Sequence, residues 1–143
     1  MSQTSYLAGK VIHQSLAKVP APPPPGSPHL KRLVLPQGEL AQFYDADEGM
    51  RYLAVIELRP GTVRGNHYHK TKIELIYVID GEVDLVAEDI ESRVRETIPM
   101  RTGDVALIQT GVAHALRVAA SGQAIECSPS RFDPADIYRY PLV

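Results

Sequence analysis

The sequence predicts an all-β fold, a sandwich or barrel of short strands. Short runs rich in Val, Ile, Leu and Tyr recur from Leu30 to Cys127. Glycine-containing turn signals punctuate them, and no long helical period follows Pro28. Regular short strands joined by such turns are the pattern of sandwiches and barrels.

In residues 1–19, Val11, Ile12, Ser15, Leu16 and Val19 share one face of a short helix. Six of the 12 prolines then fall between Pro20 and Pro28, in PAPPPPGSP. Such a segment favours polyproline II and acts as a semi-rigid spacer. A spacer is preferred to an SH3-type ligand because no other motif of that kind accompanies it. Strands are expected at Leu33–Leu35, Leu40–Tyr44, Tyr52–Leu58, Ile73–Ile79, Val83–Ala87, Val105–Gln109, Ala115–Ala119 and Ala124–Cys127. Asp80-Gly81, between two apolar runs, predicts a tight hairpin because Gly accepts a positive φ there. Thr102-Gly103, Thr110-Gly111 and Ser121-Gly122 mark further turns. Asp133-Pro134 reads as a helix start, with Asp133 as N-cap and Pro134 in the first helical position. The expected organisation is an N-terminal arm with a proline-rich spacer over residues 1–28, and a barrel with a short C-terminal helical segment over 29–143.

The totals restrict the function. A length of 143 residues suits one domain, and an apolar share of 44% is enough for a core. A net charge of −2 argues against nucleic-acid binding, which needs a basic surface. Cys127 is the single cysteine, so neither an intramolecular disulfide nor a cysteine-based zinc site is available. The first residues lack a continuous apolar stretch of signal-peptide type, and no run approaches the ~20 residues of a membrane span. A cytoplasmic protein is expected, with a small-molecule ligand and neither nucleic acid nor membrane as partner.

The chemistry concentrates in GTVRGNHYHKTKIE, from Gly61 to Glu74. On a strand, residues i and i+2 point to the same face. His67 and His69 therefore present two imidazoles to one side. Lys70-Thr71-Lys72 is polar enough to turn, and Glu74, opening the next strand, returns a carboxylate to that face. His114, after Thr110-Gly111, is a further donor. Two imidazoles and a carboxylate suit a first-row divalent ion. A lone strand histidine is more often an exposed or hydrogen-bonded residue; alternation plus Glu74 brings the metal reading level with that one.

These residues closely resemble the cupin superfamily. Its first motif, G-x5-H-x-H-x3,4-E-x6-G, is filled at every fixed position by Gly61, His67, His69, Glu74 and Gly81. Its second, G-x5-P-x-G-x2-H-x3-N, is matched by Gly103, Gly111 and His114, with Gln109 for the proline and Val118 for the asparagine. The resemblance covers Gly61 to Val118. It implies a double-stranded β-helix, or jelly-roll barrel, and one divalent metal ion on His67, His69, Glu74 and His114. Zn, Fe, Mn, Ni and Cu all accept such ligands. The segment RGNHYHKTKIE is also similar to the cupin portion of some enzymes that modify nucleotide-linked sugars, although no dinucleotide-binding G-x-G-x-x-G follows a strand here.

An octahedral ion with four protein ligands keeps positions for water or substrate, and an open position polarises a carbonyl, acidifies water or holds O₂. The leading expectation is a metal-dependent isomerase or epimerase acting on a sugar derivative or a keto or hydroxy acid. The alternatives are an Fe(II)-dependent dioxygenase and a non-catalytic small-molecule-binding cupin. A Lewis-acid enzyme needs a proton carrier; Tyr52, Tyr77, Glu57 and Asp84 qualify by type. Strand alternation turns Tyr77 away from Glu74, and it makes Glu57 a solvated residue if Tyr52, Ala54, Ile56 and Leu58 are core. Arg64, next to the ligand strand, is the candidate for binding an anionic substrate, whereas Arg51 reads as surface. Cys127 reads as a small buried apolar residue. His13 and His29, flanking the proline-rich segment, carry no assigned role. Ile73–Ile79 is apolar on both faces, so its second face needs cover. That predicts a homodimer, which the N-terminal arm can reach across to join.

Overall fold

The computed structural model of the chain describes residues 2–143. Its strands are β1 (Ser2–Tyr6), β2 (Val11–Ser15), β3 (Lys18–Pro20), β4 (Lys31–Leu35), β5 (Gly38–Gln42) and β6 (Tyr52–Leu58). These are followed by β7 (Val63–Tyr68), β8 (Glu74–Asp89), β9 (Arg95–Arg101), β10 (Asp104–Ile108), β11 (Val112–Ser128) and β12 (Tyr138–Arg139). The all-β jelly roll expected from the sequence is the fold observed.

Two long strands organise it. The first half of β8 pairs with β10, and the last part of β11 pairs with both that half and β6. The second half of β8 pairs with β9, and the first part of β11 pairs with both that half and β7. Each long strand therefore serves two sheet halves that face each other. Leu58, Ile76, Val78, Leu85, Ile98, Met100, Ile108 and Val112 fill the space between them.

The hairpin expected at Asp80-Gly81 is not formed. β8 runs through it, and β11 runs through Ser121-Gly122. Gly81 does take a positive φ of 110°, but it bends the strand instead of reversing it. The two strands cross closely there: a Cβ on Gly122 would lie 1.9 Å from the Asp80 carbonyl oxygen. The β8–β11 register shifts between Ala120 and Gln123, where both strands pass from one half to the other.

The helix expected over Val11–Val19 is not formed either. β2 is hydrogen-bonded to β1 on one side and to β10 on the other, so these residues extend the main sheet. Val11 is fully buried in the core. A five-residue run offers a helix too few internal bonds to compete with two ladders. The proline-rich residues 20–28 are largely exposed and join β3 to β4, which pair in parallel. β9 was not evident from the sequence, since RETIPMR is mostly polar and contains Pro99. It pairs only with β8, and proline is accepted on such an edge strand. Near the end, Pro134–Asp136 forms a 3-10 turn, capped by the Asp133 side chain accepting from Ala135 N at 2.9 Å.

The second apolar face of Ile73–Ile79 is covered by the chain itself at Leu75 and Tyr77, while Ile79 stays exposed. Leu75 and Tyr77 pack with Leu16, Val105 and Cys127 under Leu30, Ala41, Phe43, Tyr44 and Met50. Tyr77 stacks on Phe43 with ring centroids 4.6 Å apart. Leu75 and Tyr77 therefore need no partner to cover them. No helix among the described residues is long and apolar enough to cross a membrane.

Candidate metal centre

β7, β8 and β11 bring the candidate ligands together. His67 lies near the end of β7, directly opposite His114 on β11, and Glu74 opens β8. His69 sits one residue past β7, at the start of the loop to Glu74. Close pairing of β7 with β11 requires Gly65, which has φ +93° and whose Cβ would stand 2.7 Å from the His114 carbonyl oxygen. One potential ligand atom from each of His67, His69 and His114 lies within 4.8 Å of the others. Glu74 Oε2 is 2.6 Å from His114 Nε2.

The tautomers are set from behind. His69 Nδ1 meets the carbonyl oxygen of Asp136 at 2.7 Å, and His114 Nδ1 meets that of Val112 at 3.0 Å. A carbonyl only accepts, so each Nδ1 carries the proton and each neutral Nε2 presents a lone pair to the cluster. His69 Nε2 is buried without a hydrogen bond, and the buried His114 Nε2 and Glu74 Oε2 meet only each other. Buried polar atoms normally have partners. Three imidazoles gathered beside a carboxylate, with no partner outside the cluster for the ring nitrogens of His69 and His114 that face it, fit a divalent cation by donor type.

The electrostatics favour the neutral ring at His67 and His69, and at His114 they reflect its contact with Glu74. Burial, with His114 and His69 nearby, lowers the His67 imidazole to about 4, and burial also lowers His69. Burial alone would raise the Glu74 carboxyl, but His114 and Lys72 hold it well below the usual range. Glu74 in turn raises His114 against its own burial.

Beside this cluster lies a second charged group. Lys72 is buried, with Nζ 2.8 Å from Glu126 Oε1 and 3.5 Å from Glu74 Oε1, and 4.5 Å above the Tyr52 ring. Burial and the adjacent Glu74 push the Glu126 carboxyl up to about 7. A pocket of about 140 Å³ opens onto both groups, with Tyr52, Arg64, Phe132 and Ile137 also in its wall.

Of the other sequence candidates, Tyr52 and Arg64 line this pocket, and Arg64 also donates from Nη2 to the Glu57 carbonyl oxygen at 3.2 Å. Glu57 is exposed and paired with Arg59, as the solvated reading requires. Asp84 pairs with Arg117, and Tyr77 faces the other side of the sheet. Arg51 is exposed, and Cys127 is buried with its thiol pushed up to about 11 by that burial. His13 pairs with Asp104 and His29 with Asp45, both at 2.9 Å. Lys72 and Glu126 carry no functional signal in the sequence motifs. Glu126 stands two positions after Ala124 within an apolar strand, and that alternation was the available signal.

The family model described as Cupin domain matches residues 54–126. This protein belongs to the cupin family. A search of curated proteins finds no match to this cupin. Among solved structures it is similar to a dTDP-6-deoxy-D-glucose-3,5-epimerase from Legionella pneumophila, in complex with dTDP-4-keto-L-rhamnose. The TM-score is 0.75 at 15% identity, covering 96% of this chain and 76% of that one. It is similar to a 3,4-ketoisomerase from Helicobacter canadensis, with TM-score 0.69 at 16% identity over 77% of this chain and 86% of that one. It also matches CapF, solved with the inhibitor 3-isopropenyl-tropolone, with TM-score 0.57 at 24% identity; there it covers 63% of this cupin but 28% of CapF. At these identities the likeness is one of fold.

Proposed function

We propose that this cupin holds one divalent metal ion on His67, His69, Glu74 and His114, and that it isomerises or epimerises a small keto sugar or related keto or hydroxy acid. The observation that carries the reading is the buried cluster of the His69 and His114 Nε2 atoms with Glu74, in which each ring's opposite nitrogen is already tied to a carbonyl. When bound, such an ion polarises a carbonyl or hydroxyl oxygen of the substrate. The remaining work falls to the chain's own residues. Glu126, with Lys72 at 2.8 Å, is the candidate to take a proton from the carbon adjacent to that carbonyl, leaving an enolate, and to return it to one of the carbons of that enolate. Lys72 balances the charge of Glu74 and Glu126 while that proton moves. Arg64 at the pocket wall is suited to an anionic group on the substrate. Keto-sugar chemistry in the epimerase and ketoisomerase of similar fold supports this choice of substrate.

Elemental analysis of protein purified without a histidine tag tests the metal. The expected result is about one divalent ion per chain, falling to near none in the His67→Ala/His69→Ala double variant; unchanged content would remove the reading. Incubation with dTDP-linked 4-keto sugars in deuterated water tests the chemistry, through deuterium uptake next to the carbonyl. Oxygen consumption in place of exchange would assign the site to the dioxygenase class.

We also propose a cytoplasmic homodimer. Leu53 and Val55, on the outward face of β6, are 70% and 64% exposed, an apolar pair that a partner would cover.

A further inference from the structure

We propose that Asp136 is the positioning residue of the metal centre: its carboxylate clamps the loop between His69 and Glu74, while its own carbonyl oxygen fixes the ring of His69. The inference rests on the metal reading above and assigns a role to a segment outside both cupin motifs.

Asp136 is buried at 7% exposure, and its carboxylate is wholly engaged by backbone amides. Oδ1 accepts from Lys70 N at 2.8 Å and Thr71 N at 3.2 Å; Oδ2 accepts from Thr71 N at 3.1 Å and Lys72 N at 3.0 Å. Three successive amides converging on one carboxylate form an anion-binding concavity, here filled from within the chain. The clamp spans 66 positions of sequence at Lys70, so it is no local turn feature. The backbone of Asp136 is itself held, since its N–H donates to the Asp133 carbonyl oxygen at 3.0 Å. Immediately beyond it, β12 pairs Tyr138 with Tyr68 and Arg139 with His67. The carbonyl that meets His69 Nδ1 is thus fixed from both sides, and the side chain of the same residue fixes the loop that follows His69. Groups that orient a ligand imidazole change metal affinity by roughly 10–100-fold when lost. Asp136→Ala keeps the carbonyl but frees it to wander from Nδ1. Asp136→Asn keeps the shape but sets an NH₂ against an amide N–H, so it weakens the clamp as well.

The test compares wild type, Asp136→Ala and Asp136→Asn, each checked for folding by circular dichroism. Zn(II) affinity is measured by competition with a chelating dye. Imidazole ¹⁵N shifts are recorded on metal-free protein, at a pH where the imidazoles are neutral. The expected result is affinity lowered roughly 10–100-fold in the alanine variant, less in the asparagine variant. His69 shifts should move toward a tautomer average, while those of His114, tied to Val112, stay fixed. Wild-type affinity with unchanged His69 shifts in either folded variant would overturn the proposal. Equal disturbance of His69 and His114 would also overturn it, because that is general loosening. If Asp136→Ala does not fold, the asparagine variant gives the same readouts. Failure of wild type to bind Zn(II) would sink the metal reading; the His69 shifts would still decide whether Asp136 positions that ring.

Discussion

Lysine and glutamate are seldom buried, yet Lys72 and Glu126 meet at 2.8 Å inside the pocket. Their proximity to the ligand set, and not their individual types, marks them as chemical. Glu126→Gln is expected to keep its metal and its fold and to lose roughly 10²–10⁴-fold in kcat, the usual contribution of a positioned acid or base. Retained turnover with dTDP-linked keto sugars would take Glu126 out of the reaction. The ligands themselves were legible because three of the four lie within eight residues, from His67 to Glu74, and His114 keeps its spacing to two glycines. Lys72 was hidden inside a stretch whose polarity reads as a turn. Glu126 was hidden because a single glutamate near the end of an apolar strand has no motif spacing to the ligands, and its partner Lys72 lies 54 positions away. Asp136 looked like part of a helix start, and nothing in the linear sequence shows three amides 64 to 66 positions away turned toward it.

At the scale of elements, β8 and β11 look like four strands in the sequence, because the glycines that let them bend also signal turns. A short local dipeptide specifies a positive φ without saying whether the chain reverses. Gly122→Ala tests the crossing: its Cβ would fall 1.9 Å from the Asp80 carbonyl oxygen, so one strand must move. The expected loss is on the order of 3 kcal/mol in urea unfolding, and a change below about 0.5 kcal/mol, the range of ordinary surface substitutions, would mean the crossing is loose. The attachment of β2 to β10 gives a pH signature. Burial alone would raise Asp104, but bonds from His13, the Arg101 amide and Ser15 hold it below the usual aspartate value. A carboxyl depressed by folding stabilises the fold fully above its unfolded value of about 3.9. That contribution is lost as pH falls through the lower folded value. Asp104→Asn is therefore expected to destabilise at pH 6 and to approach wild type at an acid pH below the folded value, as thermal melts would show. Parallel melting curves at both pH values would exclude the linkage.

For the whole molecule, the barrel was legible from the spacing of apolar runs, whereas the fate of its outer face was not. Only the folded chain shows that residues 30–50 lie over Leu75 and Tyr77 and leave Leu53 and Val55 bare. Sedimentation velocity at low micromolar concentration should give a dimer that dissociates in a Leu53→Glu/Val55→Glu variant; a monomeric wild type would end the dimer proposal. The position of β2 between β1 and β10 reaches beyond the finished fold, into its synthesis. His13 and the Asp104 it pairs with are 91 positions apart. At about 5–20 residues per second, a ribosome makes β10 on the order of 5–20 s after β2. Throughout that interval the β1–β2 hairpin carries an open row of amide and carbonyl groups, a template for pairing with other nascent chains. Such non-local pairing also folds slowly once the chain is complete. Ribosome-bound chains stalled before β10 should therefore capture holdase chaperones, and chains in which β10 has emerged and paired should shed them.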